Sequence, residues 1–154
     1  MRKVYQGFTL IELVMLLVVL GVLVSTALPR FYAMQSDTRS IKAESIYGAV
    51  RSAAEIAHRV AADNKQAGVK GVVTIEDSRQ VTLAYGYPDA GGILKAANIV
   101  SGQDGISISG TLPVTIGIDG AATPNCKVEY IPAKSARQAP VITLSNNKTA
   151  PGNC

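Results

Sequence analysis

From Phe8 to Leu28 the chain reads FTLIELVMLLVVLGVLVSTAL, an almost unbroken apolar run of 21 residues. A helix that crosses the hydrocarbon core of a bilayer needs about 20 such residues, each adding ~1.5 Å. No later stretch comes close. The run carries much of a 47% hydrophobic content that is high beside 17% charged residues, and much of a mean hydropathy of +0.21. Of the 154 residues, those beyond the run have room for one compact domain and not for two.

The flanks of the run give it a direction. Arg2 and Lys3 precede it, and basic residues on the near side of an apolar helix keep that side in the cytoplasm. The net charge is +4. With those two residues set aside the rest of the chain is close to balance, too weak a field to argue for a nucleic-acid-binding body. A cleaved secretory signal has a shorter apolar core followed by a small-residue site, whereas this run is followed by LPRFY. A plain signal anchor does not explain Glu12, the one ionisable side chain between Phe8 and Leu28. A charge inside a membrane helix costs about 2.5–3.5 kcal/mol on insertion scales, which makes it a functional residue by default.

Gly7-Phe8-Thr9-Leu10-Ile11-Glu12-Leu13 resembles the processing motif of type IV prepilins and of type II secretion pseudopilins, and the resemblance extends to about Met34, taking in Gly21 and Pro29. It implies a leader, residues 1–7, cleaved after Gly7 by a membrane prepilin peptidase, then N-methylation of Phe8. It further implies that Glu12 pairs with the α-amine of a neighbouring subunit and so sets register during polymerisation. The partners so implied are other pilin subunits, the prepilin peptidase, the pilus assembly machinery and the inner membrane before assembly. The localisation implied is the bacterial inner membrane for the precursor and an extracellular filament afterwards. In the family, helix is often lost between positions matching Gly21 and Pro29 on assembly; a mere bend is the alternative here.

Past Pro29 the helical pattern resumes. Ile46, Val50, Ala53, Ala57 and Val60 follow a 4-3-4-3 spacing, an apolar stripe on an amphipathic helix. The spacing predicts one helix over 8–63, a polymerisation segment 8–28 continued by an amphipathic segment 29–63, with a kink at Pro29 where a donor is missing. From residue 64 the composition turns to short β-rich runs bounded by Gly, Pro, Asp and Asn. Strands are predicted at Gly71–Ile75, Gln80–Ala84, Pro113–Ile118, Lys127–Ile131 and Pro140–Leu144, the last three as an antiparallel meander, and a short helix at Gly92–Asn98. The fold class is α+β: a long N-terminal helix packed on a C-terminal antiparallel sheet, the head spanning 64–154. A second resemblance, to pilins of the mannose-sensitive haemagglutinin subgroup, rests on GAVRSAAEIAHRVAA and on AYGYPDAGGI, with Tyr85-Gly86-Tyr87-Pro88 its most specific piece.

Two cysteines, Cys126 and Cys154, in a chain read as exported predict a disulfide; two unrelated thiols are the alternative. Catalytic patterns are missing from the sequence. His58 is the single histidine and reads as a packing residue. Gly91-Gly92 lacks the spacing of a phosphate loop, and Asp104-Gly105 and Asp119-Gly120 read as turns because neither has the alternating acidic ligands of a calcium loop. No enzyme, cofactor or metal is predicted. The leading function is a structural subunit of a type IV pilus used for surface adhesion. A minor pilin that binds DNA through Lys127, Lys134, Arg137 and Lys148 is a second reading, and a secretion pseudopilin a third.

Overall fold

The structure is a computed structural model, and it describes residues 8–75, 78–120 and 125–146. Helix α1 runs from Leu10 to Asp63, 54 residues, or ~80 Å at the ideal rise. Thr9 caps it, and Asn64 closes it by donating back to Val60 and Ala62. In the single chain α1 is helical through both Gly21 and Pro29, so the interruption expected there is not a property of the isolated subunit. Proline deletes one rung, the donor to the Ser25 carbonyl, and the rungs on either side carry the helix across it. The Ser25 and Thr26 hydroxyls meanwhile donate to the carbonyls of Val22 and Leu23 at 2.8 and 2.9 Å, so neither polar group is left unsatisfied in an apolar stretch.

The second half of α1 is the spine of the head. Ala43, Ile46, Val50, Ala53, Ala54, Ala57 and Ala61 are buried on it. The predicted stripe is therefore right up to Ala57, and at its end Ala61 takes the core position while Val60 is only partly covered. Small side chains dominate the stripe because two sheets and a helix must approach the same face.

Those sheets are separate. β1 (Gly71–Ile75), β2 (Arg79–Ala84) and β3 (Tyr87–Pro88) form an antiparallel three-stranded sheet. Its inward residues Val73, Val81 and Leu83 close on Ala57 and Ala61. β4 (Ile106–Ser109), β5 (Val114–Ile118), β6 (Lys127–Ile131) and β7 (Val141–Ser145) form a four-stranded antiparallel meander. Val114, Ile116 and Ile118 alternate inward with Val128 and Tyr130 onto Ala43–Ala54, the period-two pattern of a sheet with one wet face. The predicted runs fall on β1, β2, β5, β6 and β7, but the meander gains β4, and β3 adds an edge to the first sheet. Pro88 is tolerated there because an edge strand needs no donor on its outer side.

Helix α2 (Ala90–Ala96) packs against α1 and β2, two residues earlier than the spacing predicts. Its start is set by Asp89, whose Oδ1 accepts from the Gly92 amide at 2.6 Å and from the Thr82 hydroxyl at 2.7 Å. A buried hydrogen bond joins the two sheets. Tyr130, fully buried on β6, donates its hydroxyl to the Pro88 carbonyl on β3 at 2.7 Å. Burial raises the phenol's pKa, with the charge on Asp89 a lesser cause, so the donor keeps its proton over any ordinary pH. Tyr130→Phe leaves a buried carbonyl without its donor and is expected to cost about 1–3 kcal/mol. A fall in the unfolding midpoint reads it; an unchanged midpoint would show that the bond contributes nothing.

Candidate functional site

The first half of α1 is apolar on every side and packs against no other element among the described residues. Leu10 is 80% exposed, Ile11 77% and even the most covered of its large apolar residues 48%, and none of the apolar segment is buried within the chain. Soluble monomers rarely leave more than a few hundred Å² of contiguous apolar surface uncovered. An apolar surface of this extent calls for a cover from outside the chain. By length and composition α1 is long and apolar enough to cross a membrane.

Glu12 sits in the first turn of α1, and its surroundings were only partly anticipated. Its Oε2 accepts from the Thr9 amide at 3.5 Å and the Thr9 hydroxyl at 3.3 Å, while its own amide donates to Thr9 Oγ1 at 3.3 Å. This is a capping box: the two ends of a T-x-x-E sequence satisfy each other's orphan donors, and the carboxylate faces the positive end of the helix dipole. The Thr9-Leu10-Ile11-Glu12 spacing carried that signal, and reading Glu12 only as a registry charge missed it. The box is loose, and both bonds fall on Oε2, leaving Oε1 outside it. Phe8, one residue before the cap, is 66% exposed. Gly7 and the rest of the leader lie outside the described residues.

Among the other predicted residues, Gly21 and Pro29 lie within α1. Cys126 is 1% exposed just before β6, and Cys154 lies outside the described residues. Asp104-Gly105 and Asp119-Gly120 flank β4 and β5, where Asp104, Gly105 and Gly120 all take positive φ and the Asp119 amide donates to the Gly105 carbonyl. Of the four basic residues of the DNA reading, one of the three that the structure describes is already paired. Lys127 Nζ is 2.7 Å from Glu129 Oε1, Lys134 and Arg137 are exposed on the β6–β7 connection, and Lys148 is outside the described residues.

The structure does join two features that the sequence kept apart. His58 Nδ1 donates to the Gly86 carbonyl at 2.9 Å, and its ring stacks on Tyr87 with centroids 3.9 Å apart and planes 2° from parallel. Tyr85 and Gly86, at φ 54 and 81, make the two-residue turn of the β2–β3 hairpin, where positive φ at both positions suits the sheet twist. The Tyr85–Pro88 segment thus clips the first sheet to α1 through His58.

With this geometry in hand, the comparison with curated proteins is informative. The chain is 42% identical over 52 residues to the type IV narrow pilus major component PilA5 of Thermus thermophilus. The match takes in 34% of this chain and 45% of that protein, so the chain spans less than half the length of this curated relative. The match supports a type IV pilin. The long helix packed on an antiparallel sheet is the α+β arrangement of that fold. No family model matches the chain, and no solved structure matches it.

Proposed function

We propose that the chain is a structural subunit of a type IV pilus and polymerises through the first half of α1. The observation that carries this reading is the apolar helix itself, uncovered on every side and joined without a break to a folded head. In the membrane, lipid covers the helix. In a filament, other copies replace the lipid, and the heads form the outer surface.

On this reading the leader is removed after Gly7 by a prepilin peptidase, which frees the α-amine of Phe8 for methylation and keeps the anchor. Glu12 then offers Oε1 to the α-amine of a neighbouring copy. A carboxylate in a low-dielectric setting costs several kcal/mol unless paired, so only the copy that docks in register removes the penalty. The precursor resides in the inner membrane and the product in an extracellular filament, whose role is surface attachment. Membership of the mannose-sensitive haemagglutinin subgroup is the finer reading, and it rests on the sequence resemblance around Tyr85-Gly86-Tyr87-Pro88. Lys127, already paired, weakens the DNA-binding alternative.

Cys126 and Cys154 form a disulfide on this reading; Cys126 is buried, and no free thiol is found among the described residues. Closing such a loop stabilises by about 3–4 kcal/mol in the chain-entropy model. A non-reducing peptide digest should yield the two segments linked, and recovery of both as free thiols would contradict it. The function itself is tested by genetics: deleting the gene should remove surface filaments, and restoring it should return filaments that contain this chain. Unchanged filaments in the deletion strain would exclude a main structural role.

A further inference from the structure

Between the apolar run and the head, α1 passes through Pro29-Arg30-Phe31-Tyr32. Arg30 is exposed, Phe31 is 61% and Tyr32 62% exposed, and Met34 stands out just beyond them at 66%. Consecutive helical residues point about 100° apart, so Arg30, Phe31 and Tyr32 face three directions around the helix. Such a ring is no docking face for one protein partner; it suits a medium that surrounds the helix. The head begins further on. Gln35, Asp37 and Thr38 are polar and exposed, and Ser40 is the first of the described side chains of α1 to be buried.

We propose that Arg30, Phe31 and Tyr32 form a collar that seats in the headgroup layer of a phospholipid bilayer and fixes the depth of the chain before assembly. This rests on the reading above that the first half of α1 lies in a membrane, and it concerns the single chain, in which α1 is continuous through Pro29. Length supports it. The 21 residues from Phe8 to Leu28 rise about 31 Å, close to a hydrocarbon core of about 30 Å. Arg30 to Met34 then fall within the headgroup layer, about 5–8 Å deep on each side. The side chains suit that layer. Tyrosine rings gather at membrane interfaces, with the apolar body inward and the hydroxyl in water. An arginine lays its stem along the apolar boundary and holds its guanidinium at the level of the lipid phosphates, which it can bind with two parallel N–H donors. Charge fixes the same depth independently. Glu12 and Arg30 are 18 residues apart, about 27 Å, and the Glu12 carboxylate reaches back toward the start of the helix, to the Thr9 amide. With the collar seated, the two charges lie at the two boundaries of the core together. Sliding the helix outward by a turn draws Glu12 into hydrocarbon, and sliding it inward draws in Arg30; either is costly.

The chain contains no tryptophan, so single substitutions report depth without background. The full chain is reconstituted in vesicles of phosphatidylethanolamine and phosphatidylglycerol that carry a nitroxide quencher either near the headgroup or deep in the acyl chain. Val18→Trp, at the middle of the run, should be quenched more strongly by the deep label. Phe31→Trp and Tyr32→Trp should both be quenched more strongly by the shallow label, although they point to different sides of the helix. Thr38→Trp should be quenched by neither. Replacing Arg30, Phe31 and Tyr32 together by leucine in the Thr38→Trp chain lengthens the apolar run through Met34. That chain should sink or tilt by about a turn, ~5 Å, and shallow quenching at position 38 should appear. Deep quenching at positions 31 and 32, quenching by neither label there, or an unquenched position 38 in the leucine variant would each overturn the collar. With Val18→Trp still quenched deeply, those results leave the membrane-spanning helix and the pilin reading intact. An unquenched Val18→Trp would instead remove the membrane span on which the proposal rests, and the proposal with it.

Discussion

Glu12→Ala and Glu12→Gln are both expected to leave the chain inserted, processed and folded, and both to lower filament yield by about tenfold or more at equal membrane levels. The expected size follows from the cost of truncating one member of a desolvated charge pair, about 2–5 kcal/mol, where each 1.4 kcal/mol is about tenfold. The two variants differ in what else they remove. Glutamine still completes the capping box with Thr9, since Gln serves there as well as Glu; alanine loses that bond too, a further ~1 kcal/mol of helix stability. Loss of filaments from both assigns Glu12 to assembly through its charge. Normal filaments from Glu12→Gln with loss from Glu12→Ala would assign it to capping alone. Normal yield from both would mean that apolar packing suffices to polymerise the chain.

The second large effect lies in the head. At Gly92 an added Cβ would fall 2.1 Å from the carbonyl oxygen of Thr82, because Asp89 caps α2 directly against β2. Backbone is on the other side of that contact, so Gly92→Ala must push α2 off the sheet. Overpacking of this kind costs about 1–3 kcal/mol, several degrees or more in unfolding midpoint for a head of this size. Its neighbour supplies the control. At Gly91 the nearest atom to an added Cβ is Asp89 Oδ1 at 3.7 Å, an ordinary contact, and alanine is the better helix former. Thermal unfolding of the detergent-solubilised chain should therefore show Gly91→Ala at or above the parent midpoint and Gly92→Ala well below it. Equal midpoints would show that α2 is not held by that close approach.

Much of this architecture was legible in the sequence, for reasons that differ from element to element. The apolar run and the stripe from Ile46 to Ala57 declare α1 because helix periodicity is a property of the chain itself. β1, β5, β6 and β7 are runs of branched residues bounded by turn formers. β4 escaped because Ile106-Ser107-Ile108-Ser109 has only two apolar residues between glycine-containing turns, and its pairing with β5 is a tertiary fact. β3 escaped because two residues, one a proline, fall below any run length. The division into two sheets could not be read either, since strands do not state their partners.

The site shows the same split. Glu12 stands out because a charge inside an apolar run is costly. Its capping partnership with Thr9 was written in a T-x-x-E spacing, yet the membrane argument drew attention away from it. The His58–Gly86–Tyr87 clip joins residues 28 and 29 positions apart, a distance at which sequence offers no cue. Lys127 could be counted as a free cation until β6 set it on the same face as Glu129.

The central claim is that this chain loses its leader at Gly7 and enters a filament by the helix that follows. Intact mass spectrometry of sheared surface filaments tests it in one step. The account predicts a single subunit that begins at Phe8, carries one methyl group on its α-amine and retains the whole apolar run; in a Gly7→Arg strain the full-length precursor should remain in the membrane fraction. A filament subunit whose N-terminus lies beyond Leu28 would have no polymerisation helix, and it would contradict the account outright.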